Sequence, residues 1–113
     1  MYQPLSGGDA LFTENHMPKA YWVSTYLEIH DEEKLAAYAK IAGPAVMAAG
    51  GRFIVRGVAT KAFEAGKIQR STVVEFDSLE AALAAHETPE YKKALAALEG
   101  GVTRDLRVVE GAE

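Results

Sequence analysis

Cysteine is absent from the 113 residues, which removes disulfides, thiolate zinc sites, iron–sulfur clusters and a cysteine nucleophile together. Histidine is scarce: His16, His30 and His86 are the whole supply, a poor basis for the three protein ligands a zinc centre needs. Positive charge is in deficit too, with 12 basic against 16 acidic residues and a net charge of -4. The broad electrostatic attraction behind non-specific nucleic-acid or anionic-membrane binding is therefore missing. No apolar run approaches the roughly 20 residues of a spanning helix, and the N-terminus lacks the basic-then-apolar order of a secretory signal. These absences predict a cytoplasmic protein with no metal, no cofactor, no nucleic-acid partner and no membrane.

Catalytic signatures are also lacking. Gly66-Lys67 resembles the end of a phosphate loop, but Lys61 stands where the first glycine belongs and Ile68 where a Ser or Thr would bind magnesium. His86-Glu87 opens like a metalloprotease helix, yet Glu90 occupies the second histidine position and Pro89 intervenes. There is no nucleophile elbow and no dinucleotide glycine fingerprint.

What is present is regular patterning. Met1 to His16 carries Pro4, Ser6, Gly7, Gly8, Asp9 and Asn15, which break every period, so residues 1–16 are expected to be a tag or non-domain extension and 17–113 a single domain. Lys19 to Ile29 alternates as a half-buried strand, with Trp22, Ser24, Tyr26 and Glu28 on one face. Asp31 caps a helix with apolar positions at Leu35, Tyr38, Ala39, Ala42, Val46 and Ala49, in which Pro44 predicts a kink or a restart. Gly50 and Gly51 end it. Strands follow over Arg52 to Val58 and Ile68 to Phe76, joined by a long stretch from Ala59 to Lys67. A helix capped by Asp77 or Ser78 presents Leu79, Ala82, Leu83 and His86 on one face, and Thr88-Pro89 restarts a second segment with Tyr91, Ala94, Leu95 and Leu98 inward. Arg104 to Glu110 is the last strand, with Leu106 and Val108 on one side.

Strand, helix, strand, strand, helix, strand is a duplicated split βαβ unit, whose preferred solution is a ferredoxin-like α+β fold: a four-stranded antiparallel sheet with both kinked helices on one face. The other sheet face is expected to carry Trp22, Tyr26, Ile54, Val73 and Val109 among Ser24, Ser71, Glu28, Arg56, Glu75 and Arg107. Two large aromatics on an open face point to a homodimer paired sheet to sheet, with Trp22, Tyr26, Glu75 and Arg107 at its interface.

Several segments carry a family likeness: Gly50-Gly51-Arg52-Phe53-Ile54-Val55-Arg56-Gly57, Arg70 through Val74-Glu75-Phe76-Asp77-Ser78, Thr88-Pro89-Glu90-Tyr91 and Val109-Glu110-Gly111. With these, the chain from about Pro18 to Gly111 resembles the family called domain of unknown function 1330, in the dimeric α+β barrel superfamily. It departs from the family pattern at Glu64-Ala65-Gly66, where a Glu-Gly pair is typical, and at Leu98, where an arginine is expected. The resemblance implies the fold and dimerisation, with sheets pairing into a barrel, and no established reaction.

Three function classes follow. The first is a small-molecule binder with a cleft between helices and sheet, bordered by Tyr38, His86 and Tyr91, the polar-tipped residues on otherwise apolar faces. The second, suggested by the superfamily, is a cofactor-independent enzyme doing proton transfer or monooxygenase-like chemistry on a small aromatic or apolar compound. His86 would be its catalytic group, since imidazole is the usual base near neutral pH. The third is a structural or interaction module. Arg56 and Glu75 suit either a polar pocket for a carboxylate or enolate, or an ion pair with Glu28 or Arg107 across an interface. Glu64, in the long loop, is placed to reach over a bound molecule or is simply solvated.

Overall fold

The structure, a computed structural model, describes residues 18–112. The segment 1–16 expected to be an extension lies outside the described residues. Seven elements follow in the order β1 (Ala20–Ile29), α1 (Glu32–Ala48), β2 (Arg52–Val58), β3 (Arg70–Phe76), α2 (Leu79–His86), α3 (Pro89–Leu98) and β4 (Val102–Glu110). The strands form one antiparallel sheet in the order β2-β3-β1-β4, the ferredoxin-like arrangement. No helix among the described residues is long and apolar enough to cross a membrane.

Helix starts follow their caps. The Asp31 carboxylate accepts from the backbone N–H groups of Glu33 at 2.9 Å and Lys34 at 3.1 Å, with Glu32 and Glu33 in the positive first turn. Ser78 accepts from Ala81 N–H and Thr88 from Tyr91 N–H, each at 3.1 Å. Pro89 then occupies the first turn of α3, where its missing N–H costs nothing. Helix α1 runs through Pro44 without restarting; the carbonyl that loses its donor belongs to Lys40, which is exposed and open to water. Gly50 terminates α1 at φ 95°, and Gly51 lies so close beneath the helix that a Cβ there would stand 2.6 Å from Val46 and 2.8 Å from Val74.

One assignment is reversed by the structure. Trp22 and Tyr26, expected on the open sheet face, are each 3% exposed beneath the helices. The Trp22 indole N–H donates to the Ala82 carbonyl at 2.9 Å, and its ring packs on Phe76 and Tyr91. Alternation divides a strand into two faces without saying which one the helices cover, and Tyr21, Val23 and Leu27 make the opposite face of β1 nearly as apolar. The register places Val74 and Val108 beside Trp22, whereas Val23 lies beside Val73 and Arg107, and Tyr21 beside Glu75 and Val109. Glu75, Arg107, Val73 and Val109 thus share a face that excludes Trp22 and Tyr26. A register shift between Phe53 and Val55 pairs Phe53 with Val74 and Arg56 with Thr72, so both join the helix-covered side. In α2 the buried positions are Ala82 and Ala85, and Leu83, expected inward, is half exposed. Alanine at the contact lets α2 approach closely enough for Trp22 to reach a helix carbonyl.

Candidate functional site

Between α1 and the sheet lies a cavity whose walls follow from residue size. Helix α1 turns Ala39, Ala42, Gly43 and Val46 toward it, spaced as one helical face. Three of these four are too small to reach the sheet. An ideal Cβ placed on Gly43 meets nothing within 4 Å. The floor is Trp22, Ser24, Phe53, Thr72, Val74 and Leu106 from the sheet. The volume open to the centre of a water molecule is about 40 Å³, more than the 10–15 Å³ or so that one water requires.

Polar groups enter this apolar space at few points. The Ser24 hydroxyl, on a residue 2% exposed, has no hydrogen-bond partner among the described residues, and neither has the buried Nε of Arg70. Both residues line the cavity. Arg56 stands at the mouth, its guanidinium 4.2 Å from the Phe53 ring centre. Arg70 lies 5.8 Å from the ring centre of Tyr26.

Arg104 closes one end. It lies opposite Tyr26 in the ladder, and its Nη1 donates to the hydroxyls of Tyr26 and Tyr38, both at 3.2 Å. Its Nη2 donates to Tyr91 at 3.1 Å, while the Tyr38 and Tyr91 hydroxyls share a bond of 2.7 Å. One guanidinium therefore ties β4 to β1, α1 and α3. Burial pushes the Tyr38 hydroxyl far above its ordinary pKa, against the opposing pull of the Arg104 charge. Burial also works against the Arg104 charge, but the surrounding phenol oxygens outweigh it and hold the guanidinium firmly protonated.

The residues singled out from sequence are distributed unevenly around this site. Tyr38 and Arg56 line the cavity; Tyr91 sits behind Tyr38, fully buried. His86 is not on the cavity wall: its ring packs on Trp22 and Tyr91, and Nδ1 bonds to Glu87 at 3.2 Å on the exposed side. Glu64 is exposed in the β2–β3 loop, away from the wall. Within the chain Glu75 pairs with Arg52, at 2.9 Å, with the Tyr21 hydroxyl donating to it at 3.0 Å. These bonds, Arg52 first and then Tyr21, hold the Glu75 carboxyl below its usual pKa. Arg107 pairs with Asp105 of its own strand at 2.9 Å. Sequence reasoning missed Arg104, Arg70 and Ser24. The signal for Arg104 was its phase, two residues before Leu106 on the apolar side of β4. Among the described residues no group of three or more His, Cys, Asp or Glu side chains is placed to hold a metal ion.

The profile of the family described as Domain of unknown function (DUF1330) matches residues 19–112, the sheet, the helices and the cavity together. The chain belongs to that family. No curated protein matches it by sequence. Among solved structures, this DUF1330 chain superposes on the RPA0582 protein of unknown function from Rhodopseudomonas palustris with a TM-score of 0.69 at 17% identity, over 98% of this chain and 96% of that one. A dimeric ferredoxin-like protein of unknown function from Thermobifida fusca gives 0.57 at 18% identity, over 87% and 93%. SnoaB, a cofactor-independent oxygenase from Streptomyces nogalater, gives 0.59 at 11% identity, over 85% and 95%. At these identities the likeness is one of fold.

Proposed function

We propose that this DUF1330 protein binds a small, partly apolar molecule in the cavity between α1 and the sheet. The observation that carries the reading is the pair of buried polar atoms, Ser24 Oγ and Arg70 Nε, without a partner among the described residues, on two residues that line a space small α1 residues leave open. A buried polar group without a partner costs about 1–3 kcal/mol, a loss that a ligand's polar end would recover. Binding is favoured over catalysis because the lining, among the described residues, contains no His, Asp, Glu, Lys or Cys. Tyr38, with its raised pKa, is a donor and not a base at neutral pH. An NMR titration with a small-metabolite library tests the reading. Binders should shift Trp22, Ser24 and Leu106, and Gly43→Ala should weaken them about tenfold by taking up room. The same substitution should leave the melting temperature within a few degrees, since the gain in helix propensity is set against crowding by Pro44. Binders that map outside the cavity, or that ignore Gly43→Ala, would refute it.

The open sheet face supports a companion proposal, a homodimer paired through that face. Val55 and Val109 are each about half exposed there, beside Val23 and Val73, and the Thermobifida fusca neighbour is described as dimeric. Light scattering at micromolar concentration should give twice the chain mass, and Val55→Lys with Val109→Lys should reduce it to one. A monomer mass for the unaltered chain would sink the idea.

A further inference from the structure

The chain has five arginines, and they fall into two groups. Arg52 and Arg107 lie outside the cavity and each holds a carboxylate, Glu75 with Asp77 in one case and Asp105 in the other. Arg56, Arg70 and Arg104 line the cavity, and among the described residues none of them has a carboxylate within 4 Å. Among the described residues no acidic side chain lines the cavity. A protein of net charge -4 thus gathers three unneutralised cations around one small, largely apolar space. Arg104 directs its Nη groups onto three phenols, so it is committed to the fold. Arg56 and Arg70 are not committed in this way. Arg70 keeps an orphaned Nε, and the unpartnered Ser24 hydroxyl supplies a further donor from the floor.

Resting on the reading that the cavity binds a small molecule, we infer that its ligand is a monoanion with a compact apolar body, of the carboxylate or enolate class. The anion is held by Arg56 and Arg70, with Ser24 beneath it. Guanidinium–carboxylate pairs are planar, often bidentate and strengthened by charge on both partners, which is what two uncommitted arginines beside apolar walls are suited to accept. The apolar body would rest on Phe53, Val74 and Leu106. With no base on the wall, the site suits an anion that arrives already formed.

The test uses the full chain and matched probes: acetate, butyrate, cyclohexanecarboxylate and benzoate, each against its primary amide, by calorimetry with NMR mapping. At least one carboxylate should bind about tenfold or more tightly than its amide and shift Trp22 and Leu106. Arg56→Met and Arg70→Met should each erase most of that difference while the melting temperature shows the variants folded. If one variant fails to fold, the other carries the test, and loss of the preference in high salt is the independent readout. Amides binding as tightly as carboxylates, or neutral library members occupying the cavity while no carboxylate does, would overturn the charge assignment and leave the cavity reading standing. If nothing binds in the cavity, both fall together.

Discussion

Trp22→Ala should destabilise the protein by about 3–5 kcal/mol, the cost of deleting a large buried aromatic and leaving a cavity. The indole is 3% exposed, packs against Phe76 and Tyr91, and donates to the Ala82 carbonyl at 2.9 Å. Deletion therefore removes packing between three elements and a buried hydrogen bond to α2 at once. At about 4–8 °C per kcal/mol for a domain of this size, the melting temperature should fall by at least about 12 °C. Trp22→Phe retains most of the apolar area and should lose clearly less. Urea denaturation checks both, and a loss below 1 kcal/mol or so for the alanine variant would show that Trp22 is not a central packing residue. The variant should unfold and not merely separate into folded single chains, as it would if Trp22 sat at an interface between copies.

Arg104→Met should cost about 2–3 kcal/mol, because methionine retains the apolar stem but leaves buried phenols without their shared donor. The effect should reach both helices, so hydrogen exchange in α1 and α3 should rise together; exchange rising in only one would contradict the clamp. The same cluster sets an alkaline limit. Burial raises the Tyr38 pKa above its ordinary 10.0, so the unfolded chain releases this proton at a lower pH than the folded one. Stability from this group is complete below pH 10 and is lost as the pH rises through and beyond it. Melting temperatures should fall above that point, and Tyr38→Phe should flatten the decline. An unaltered slope in that variant would assign the alkaline loss to other groups.

The sequence disclosed the elements well because their signals are local. Asp31, Ser78 and Thr88 each sit one residue before the helix they cap, and Gly50 marks where α1 must stop. Which face of β1 is covered was not legible, since Tyr21, Val23 and Leu27 alternate with Trp22, Ser24 and Tyr26 and neither set is polar enough to be refused by the helices. The site was legible in part. Tyr38 and Tyr91 do converge, at 2.7 Å, but on Arg104, while His86 packs on the Tyr91 ring and stays off the cavity wall. That convergence joins residues up to 66 positions apart, and no periodicity carries information over such a separation. An arginine on the apolar phase of β4 was the available hint.

The strand order has a consequence for synthesis. Among the described residues β1 is the first strand made yet pairs only with β3 and β4, while β2 pairs only with β3. A nascent chain that has reached Val58 therefore holds two strands that are not neighbours and has no sheet to form. Its unpaired edges and the indole of Trp22 stay exposed until β3 emerges, and the clamp on Tyr26 waits for β4. Growth from the ribosome at about 5–20 residues per second makes that interval last seconds, during which the unpaired edges are open to aggregation. A chain halted before Val102 would keep β1 as a bare edge, and should be cleared or aggregate in preference to persisting as a smaller folded form.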